Sequence, residues 1–163
     1  MITILEDTRN QIGKHVNINR QLEAIDGVRV ERQGLGVGDY ALSNSQQRVV
    51  DTKKDVLELI SDVYHDHARF RRECQRAQDR GQELLVLVEE VLPGGKLANW
   101  RSPVYQRTTG AHRRGDPVSH ADPSILRKAL VTMTEKYGVI FRFCSKEETG
   151  RIIYDYLVEG VLP

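Results

Sequence analysis

The run Gly38-Asp39-Tyr40-Ala41-Leu42-Ser43-Asn44-Ser45-Gln46-Gln47-Arg48-Val49-Val50-Asp51-Thr52-Lys53-Lys54-Asp55 decides how this chain is read. Tyr40-Ala41-Leu42 and Arg48-Val49-Val50-Asp51 read as two strands, joined through the turn formers Ser43-Asn44-Ser45. Side chains alternate along a strand, so Asp51 and Lys53 point to one face. Asp39 follows a tight glycine turn and is placed to meet Asp51 across the hairpin, with Lys53 reaching the same spot. Two carboxylates suit a hard divalent cation such as Mg²⁺, which takes one or two protein carboxylates and leaves other positions to water and phosphate. Such an ion acidifies a bound water and neutralises charge on a phosphodiester, while a neighbouring ammonium steadies the water or the phosphate oxygens. On spacing alone a charged hairpin without chemistry is the commoner reading, since this pattern recurs by chance in many soluble proteins.

Outward from the hairpin, periodicity assigns the other elements. Residues 2–5 form a short strand ending at Glu6-Asp7-Thr8-Arg9, and Ile12, His15, Val16, Ile18, Leu22 and Ile25 give an irregular helix over about 11–25, stopped by Asp26-Gly27. Val28 and Val30 begin a strand. Gly34, Gly36 and Gly38 lead into a strand rather than a helix, so the dinucleotide-binding fingerprint fails. Val56, Ile60, Val63, His67, Phe70, Cys74 and Ala77 repeat at intervals of three and four, which predicts one long amphipathic helix with His67 in the apolar stripe. Leu84-Leu85-Val86-Leu87-Val88 reads as a central strand buried on both faces. A helix follows from Asp122-Pro123-Ser124 to Tyr137, closed by Gly138. Val139-Ile140-Phe141-Arg142-Phe143 is a second buried strand, and Ser145 with Glu148 fits a capping box for a last helix through about Leu157. This order predicts an α/β fold, a three-layer α/β/α sandwich with a mixed central sheet, in one domain spanning 1–163.

Composition narrows the function classes. With 163 residues, 39% hydrophobic and 29% charged, the chain is long enough for an ordinary core, and its net charge of +1 announces no polyanionic partner. Any nucleic-acid surface must be a local patch. Cys74 and Cys144, far apart within apolar patterns, read as buried free thiols of a reducing compartment. No apolar run approaches membrane-spanning length and the N-terminus lacks signal-peptide character, so the expected location is cytoplasmic, with no membrane partner. Residues 93–122 show no periodicity. Lys96, Arg101, Arg107, Arg113 and Arg114 face only Asp116 and Asp122 there, a local excess of +3, which predicts a long basic loop.

From Ile4 to Glu89 the chain resembles the nuclease domain of the XPF-type structure-selective endonucleases, relatives of the restriction-endonuclease-like folds. The likeness rests on Asp7-Thr8-Arg9 closing the first strand, Gly38-Asp39-Tyr40 after a glycine-rich turn, Asp51-Thr52-Lys53 where the family has Glu-Arg-Lys, Arg69-Phe70 on the following helix, and the apolar strand from Leu84 to Glu89. Asp51 is shorter than the usual Glu, Thr52 replaces Arg, Glu73 stands where the family has Gln, and the downstream acid is shifted, Asp55 being nearest. The size is similar to small nuclease-domain proteins of bacteria and their phages. The resemblance implies a Mg²⁺- or Mn²⁺-dependent DNA endonuclease acting on branched or single-strand/duplex junction DNA. Asp39, Asp51 and Lys53 would be catalytic, with Asp39, Asp51 and Asp7 holding metal. The alternative is a catalytically inactive nuclease fold that binds DNA or a protein partner.

The remaining residues divide between roles. Asp7 serves as a third metal carboxylate, or else caps the first helix or pairs with Arg9. Arg69, Arg72 and Arg76, at helical spacing, offer a basic stripe to phosphates or sit in ion pairs with Glu73 and Asp79. Arg101, Arg107, Arg113 and Arg114 of the loop are expected to contact DNA; the tandem helix-hairpin-helix domain of eukaryotic relatives has no counterpart here to do so. Trp100 and Tyr105 stack on bases or anchor the loop. A homodimer is expected through the last helices, whose Ile125, Leu126, Leu130, Met133, Ile152, Ile153, Tyr156 and Leu157 serve that surface or the core.

Overall fold

The structure, a computed structural model, describes residues 1–102 and 122–163. The loop residues Tyr105, Arg107, Arg113 and Arg114 lie outside the described residues. Six strands form one mixed sheet in the order β2-β1-β3-β4-β5-β6. These are β1 (Ile2–Asp7), β2 (Val28–Gln33), β3 (Tyr40–Leu42), β4 (Arg48–Lys53), β5 (Glu83–Val88) and β6 (Ile140–Phe143). The antiparallel hairpin read from the sequence is present, with Tyr40 opposite Val50 and Ala41 opposite Val49. Around it β1 runs antiparallel to β3 and parallel to β2, while β4, β5 and β6 are mutually parallel.

Strand alternation divides the apolar residues between two cores. Leu5, Val49, Leu84, Val86 and Val88 face α2 (Val56–Ile60), α3 (His67–Asp79) and α4 (Pro123–Tyr137). Ile4, Val50, Leu85 and Leu87 face α1 (Val16–Glu23) and α5 (Thr149–Tyr154), with Tyr156 and Leu157 beyond it. The result is the expected α/β/α sandwich. Each fully buried apolar side chain contributes on the order of 1.5–3 kcal/mol to it. Both cysteines are buried and free, and no helix among the described residues is long and apolar enough to cross a membrane.

Several elements differ from the sequence expectations. The first helix begins only at Val16: Gly13, at φ +87, bends the chain before it, and Ile12 lies exposed. The long helix predicted from Val56 is two. After Ile60 the backbone widens into a π turn, Ser61–His65, and breaks at Asp66, whose φ of −109 and ψ of 25 are not helical. The wider turn rotates the apolar stripe, so His67 is exposed and Asp62 is buried in its stead. β6 is an edge strand, half-buried throughout, because among the described residues no strand pairs beyond it. Ser145 and Glu148 do bond, Glu148 Oε2 accepting from Ser145 N at 3.2 Å and Oγ at 2.8 Å, but they close a turn and α5 begins one residue later.

Candidate active site

Period two on β4 sends Asp51 and Lys53 to the α3 side of the sheet, with Val49, and Thr52 to the α1 side, with Val50. Asp39 stands one residue before β3, where Gly38 turns the chain at φ +72. A Cβ at Gly38 would lie 2.9 Å from the Val50 carbonyl oxygen, so no other residue fits this approach of the turn to β4. The Asp39 N–H donates to that same carbonyl at 2.7 Å. Asp39, Asp51 and Lys53 thereby line one cleft of about 420 Å³ with Asp7, Arg9, Asn10, Asp62, Arg69, Phe70 and Glu73.

Each charged group of the cleft has a distinct environment. Asp39 Oδ2 accepts from the Thr52 N–H at 2.8 Å and the Thr52 hydroxyl at 2.7 Å, and Oδ1 from the Asn10 amide at 2.9 Å. Burial pushes this carboxyl up, but the Thr52 N–H, the Asn10 amide, His15 and the Thr52 hydroxyl outweigh it and hold it below the usual value. Asp39 is therefore an anion at neutral pH. Asp51 is the opposite case: burial, with Asp39 and Glu73 adding to it, pushes its carboxyl up to about 7 against the pull of Lys53. The Lys53 ammonium, although burial opposes its charge, is held above the usual lysine value by Asp51 and Asp62. Its Nζ lies 2.7 Å from Asp51 Oδ2, 2.5 Å from Asp62 Oδ2 and 5.6 Å from the centre of the Phe70 ring.

Asp7 also faces the cleft, but its carboxylate is engaged: Oδ1 accepts from Leu35 N at 3.0 Å and Oδ2 from Arg9 Nε. It pins the glycine-rich turn to the end of β1. Among the described residues no three His, Cys, Asp or Glu side chains stand close enough together to enclose a metal ion. Asp39 and Asp51 nevertheless fit a hard cation. Asp51 is buried with the Lys53 ammonium as its ion-pair partner, the repulsion that Asp39 and Glu73 exert on it marks a local excess of negative charge, and two carboxylates are what Mg²⁺ takes.

The arginines of the proposed stripe separate. Arg69 Nε reaches Asp66 at 3.0 Å and Nη2 reaches Asp62 at 3.4 Å, at the rim of the cleft. Arg76 Nη1 donates to the Gly36 carbonyl at 2.6 Å, holding the glycine loop, while Arg72 is exposed. Glu73 bonds the Gly38 N–H at 2.9 Å and Asp79 accepts from Gln75, so neither pairs with these arginines. Arg101 is exposed and donates to the Ala98 and Trp100 carbonyls. Trp100 is buried, its indole N–H donating to Glu90 Oε2 at 2.5 Å, an anchor at the start of the loop. Asp55 caps α2 through the Glu58 N–H at 2.8 Å.

Sequence reasoning missed three contributors. Asp62 is brought to Lys53 by the π turn, which no pattern signalled. Glu73 supports Gly38, a role its place beside the arginines obscured. His15 Nε2 lies 3.3 Å from the Thr52 hydroxyl and its Nδ1 3.3 Å from Glu6, behind Asp39. The only hint of this last pair was polarity next to apolar positions in β1 and α1.

A mixed sheet carrying paired carboxylates and a lysine on a central hairpin defines the class of restriction-endonuclease-like nuclease folds. The sequence profile of the ERCC4 domain matches residues 7–156. The chain belongs to the ERCC4 domain family, as an XPF-type nuclease domain. Among solved structures it is similar to XPF from Aeropyrum pernix, with a TM-score of 0.64 and 18% identity over 97% of this chain and 64% of that one. It is similar also to XPF from Aeropyrum pernix in complex with DNA, with a TM-score of 0.64 and 17% identity over 98% of this chain and 65% of that one. The chain thus spans just under two thirds of those proteins. No curated protein sequence matches it.

Proposed function

We propose that the chain is a divalent-metal-dependent DNA endonuclease that hydrolyses phosphodiester bonds at branched or single-strand/duplex junction DNA. The observation that carries this reading is the convergence of Asp39, Asp51 and Lys53 in one cleft, with both carboxylates buried. Family membership and the fold shared with an XPF solved in complex with DNA support DNA as the substrate. Asp39 and Asp51 would hold Mg²⁺ or Mn²⁺; Asp7 would join them only by giving up Arg9 or Leu35. The ion would supply charge neutralisation at the phosphodiester and an acidified water. Asn10 and Thr52 keep the Asp39 carboxylate oriented and ionised. Lys53 holds a positive charge against the phosphate oxygens or the attacking water. Arg69, Arg72 and Arg76, with Arg101, Arg107, Arg113 and Arg114 of the loop, are proposed to meet the DNA backbone, Arg76 through the N–H groups it does not give to Gly36.

Cleavage of labelled fork and flap substrates with Mg²⁺ or Mn²⁺ tests the proposal. Activity should fall at least about a hundredfold in Asp39→Ala and Asp51→Ala, the range seen when one electrostatic group of a catalytic site is removed. Activity unchanged in both would sink the assignment. A second reading, an inactive nuclease fold that binds DNA or a partner, is favoured by one observation, the hydrogen bonds that both Asp39 oxygens already accept from Asn10 and Thr52. Calorimetric Mn²⁺ titration separates the two. Binding abolished by Asp51→Ala supports the enzyme, and no binding in the presence of DNA supports the module.

A further inference from the structure

Asp62 belongs to none of the motifs, yet it is buried at the centre of the site. The π turn Ser61–His65 directs it inward, so that Oδ2 lies 2.5 Å from Lys53 Nζ and Oδ1 lies 3.4 Å from Arg69 Nη2. The same ammonium is 2.7 Å from Asp51 Oδ2. An ammonium has three protons to donate and no acceptor, so Lys53 serves both carboxylates at once. A cation at Asp51 would compete with Lys53 for the charge of one carboxylate, and two positive charges would stand side by side in a cleft lined by buried groups. Asp51 is not free to do both without a second anion to take the lysine. We propose that Asp62 is that anion, a positioning residue that keeps the Lys53 ammonium in the cleft while releasing Asp51 to bind a divalent cation. This inference rests on the metal-site reading above.

The geometry explains why the acid comes from this turn. Asp55, the acid nearest the motif in sequence, is committed to capping α2. Asp62 approaches Lys53 from the helical layer, whereas Asp51 approaches from the lysine's own strand. Arg69 braces Asp62 from the rim, so its carboxylate keeps a partner when Lys53 moves.

Calorimetric titration with Mn²⁺ of wild type, Asp62→Asn, Lys53→Met and the double variant tests this. In wild-type background Asp62→Asn should weaken Mn²⁺ binding about tenfold, the size of coupling typical of residues in contact. In the Lys53→Met background the same change should move the affinity by less than about twofold, because no ammonium is left to fall back on Asp51. Wild-type affinity in Asp62→Asn, or an equal loss with and without Lys53, overturns the proposal; the latter would mean that Asp62 acts only through its charge. A wild-type protein that binds no Mn²⁺, or binds it unchanged in Asp51→Ala, removes the metal-site reading and this inference with it. A second measurement needs no variant: acetylation of Lys53, followed by mass spectrometry with and without Mn²⁺. Lys53 should stay shielded when the metal is bound, and a lysine that becomes reactive on loading contradicts a role for Asp62 in holding it.

Discussion

Asp51 sits beside one ammonium, with Asp39 and Glu73 near it, and its carboxyl is raised by burial and by those two acids against the pull of Lys53. Its folded value, about 7, lies above the ordinary aspartate value. A carboxyl raised in this way contributes its full stability below about pH 4, and that contribution is lost as pH rises through 7. Urea unfolding in chelator should therefore show Asp51→Asn gaining on wild type by a few kcal/mol between pH 5 and pH 8; a difference independent of pH would contradict the environment described. Gly38 makes the second residue-scale prediction. Gly38→Ala forces a methyl into contact with the Val50 carbonyl at a backbone angle that side chains avoid, and should destabilise the fold by roughly 1–3 kcal/mol in urea unfolding. Asp39, Asp51 and Lys53 were legible in the sequence because period two on a strand is rigid: once Val49 and Val50 are assigned, the faces of the next three residues follow. Asp62, Glu73 and His15 were not, because each reaches the site through tertiary packing of helices whose rotation a single sequence leaves open.

At the scale of elements, strands and helix ends were more legible than helix continuity. The apolar run Leu84–Val88 and the Pro123 start with its Gly138 stop are local signals, and each matches its element. The stripe from Val56 to Ala77 misled because intervals of three and four persist across a break that inserts one π turn. The two readings of that stretch differ measurably. With His67 exposed and Phe70 buried, His67→Ala should change stability by no more than about 0.5 kcal/mol, whereas Phe70→Ala should cost about 3–5 kcal/mol and loosen the packing beneath Lys53. Comparable losses at both positions would restore the single helix. The half-buried β6 departs from the expectation of a fully buried strand for a related reason: apolar content does not reveal whether a strand has one neighbour or two.

Across the whole molecule, the sheet order sets where chemistry collects. The hairpin lies in the middle of the sheet, between β1 and β5, so its outgoing end is walled by α3 on one face and backed by α1 on the other. The mixed topology was legible only as a class; the order of strands depends on crossovers that local patterns do not encode. Of the apolar residues considered for a dimer surface, Leu126, Leu130, Met133, Ile153, Tyr156 and Leu157 are buried within the chain, while Ile125 stays exposed. The proposed homodimer is accordingly checked by light scattering at micromolar concentration, where a monomeric mass would remove it. Substituting Arg101, Arg107, Arg113 and Arg114 together by alanine should flatten the log-affinity against log-salt slope for DNA by about three units, at roughly 0.7–0.9 per phosphate contact. An unchanged slope would assign DNA binding to Arg69 and Arg72 or to another subunit. The central claim, that Asp39 and Asp51 together form a divalent-metal site, is tested most directly by soaking crystals of the protein in Mn²⁺ and mapping the ion's anomalous scattering. One peak within coordination distance of both carboxylates, beside Lys53, is expected, and a map empty at that position or an ion bound away from both carboxylates would contradict the metal site.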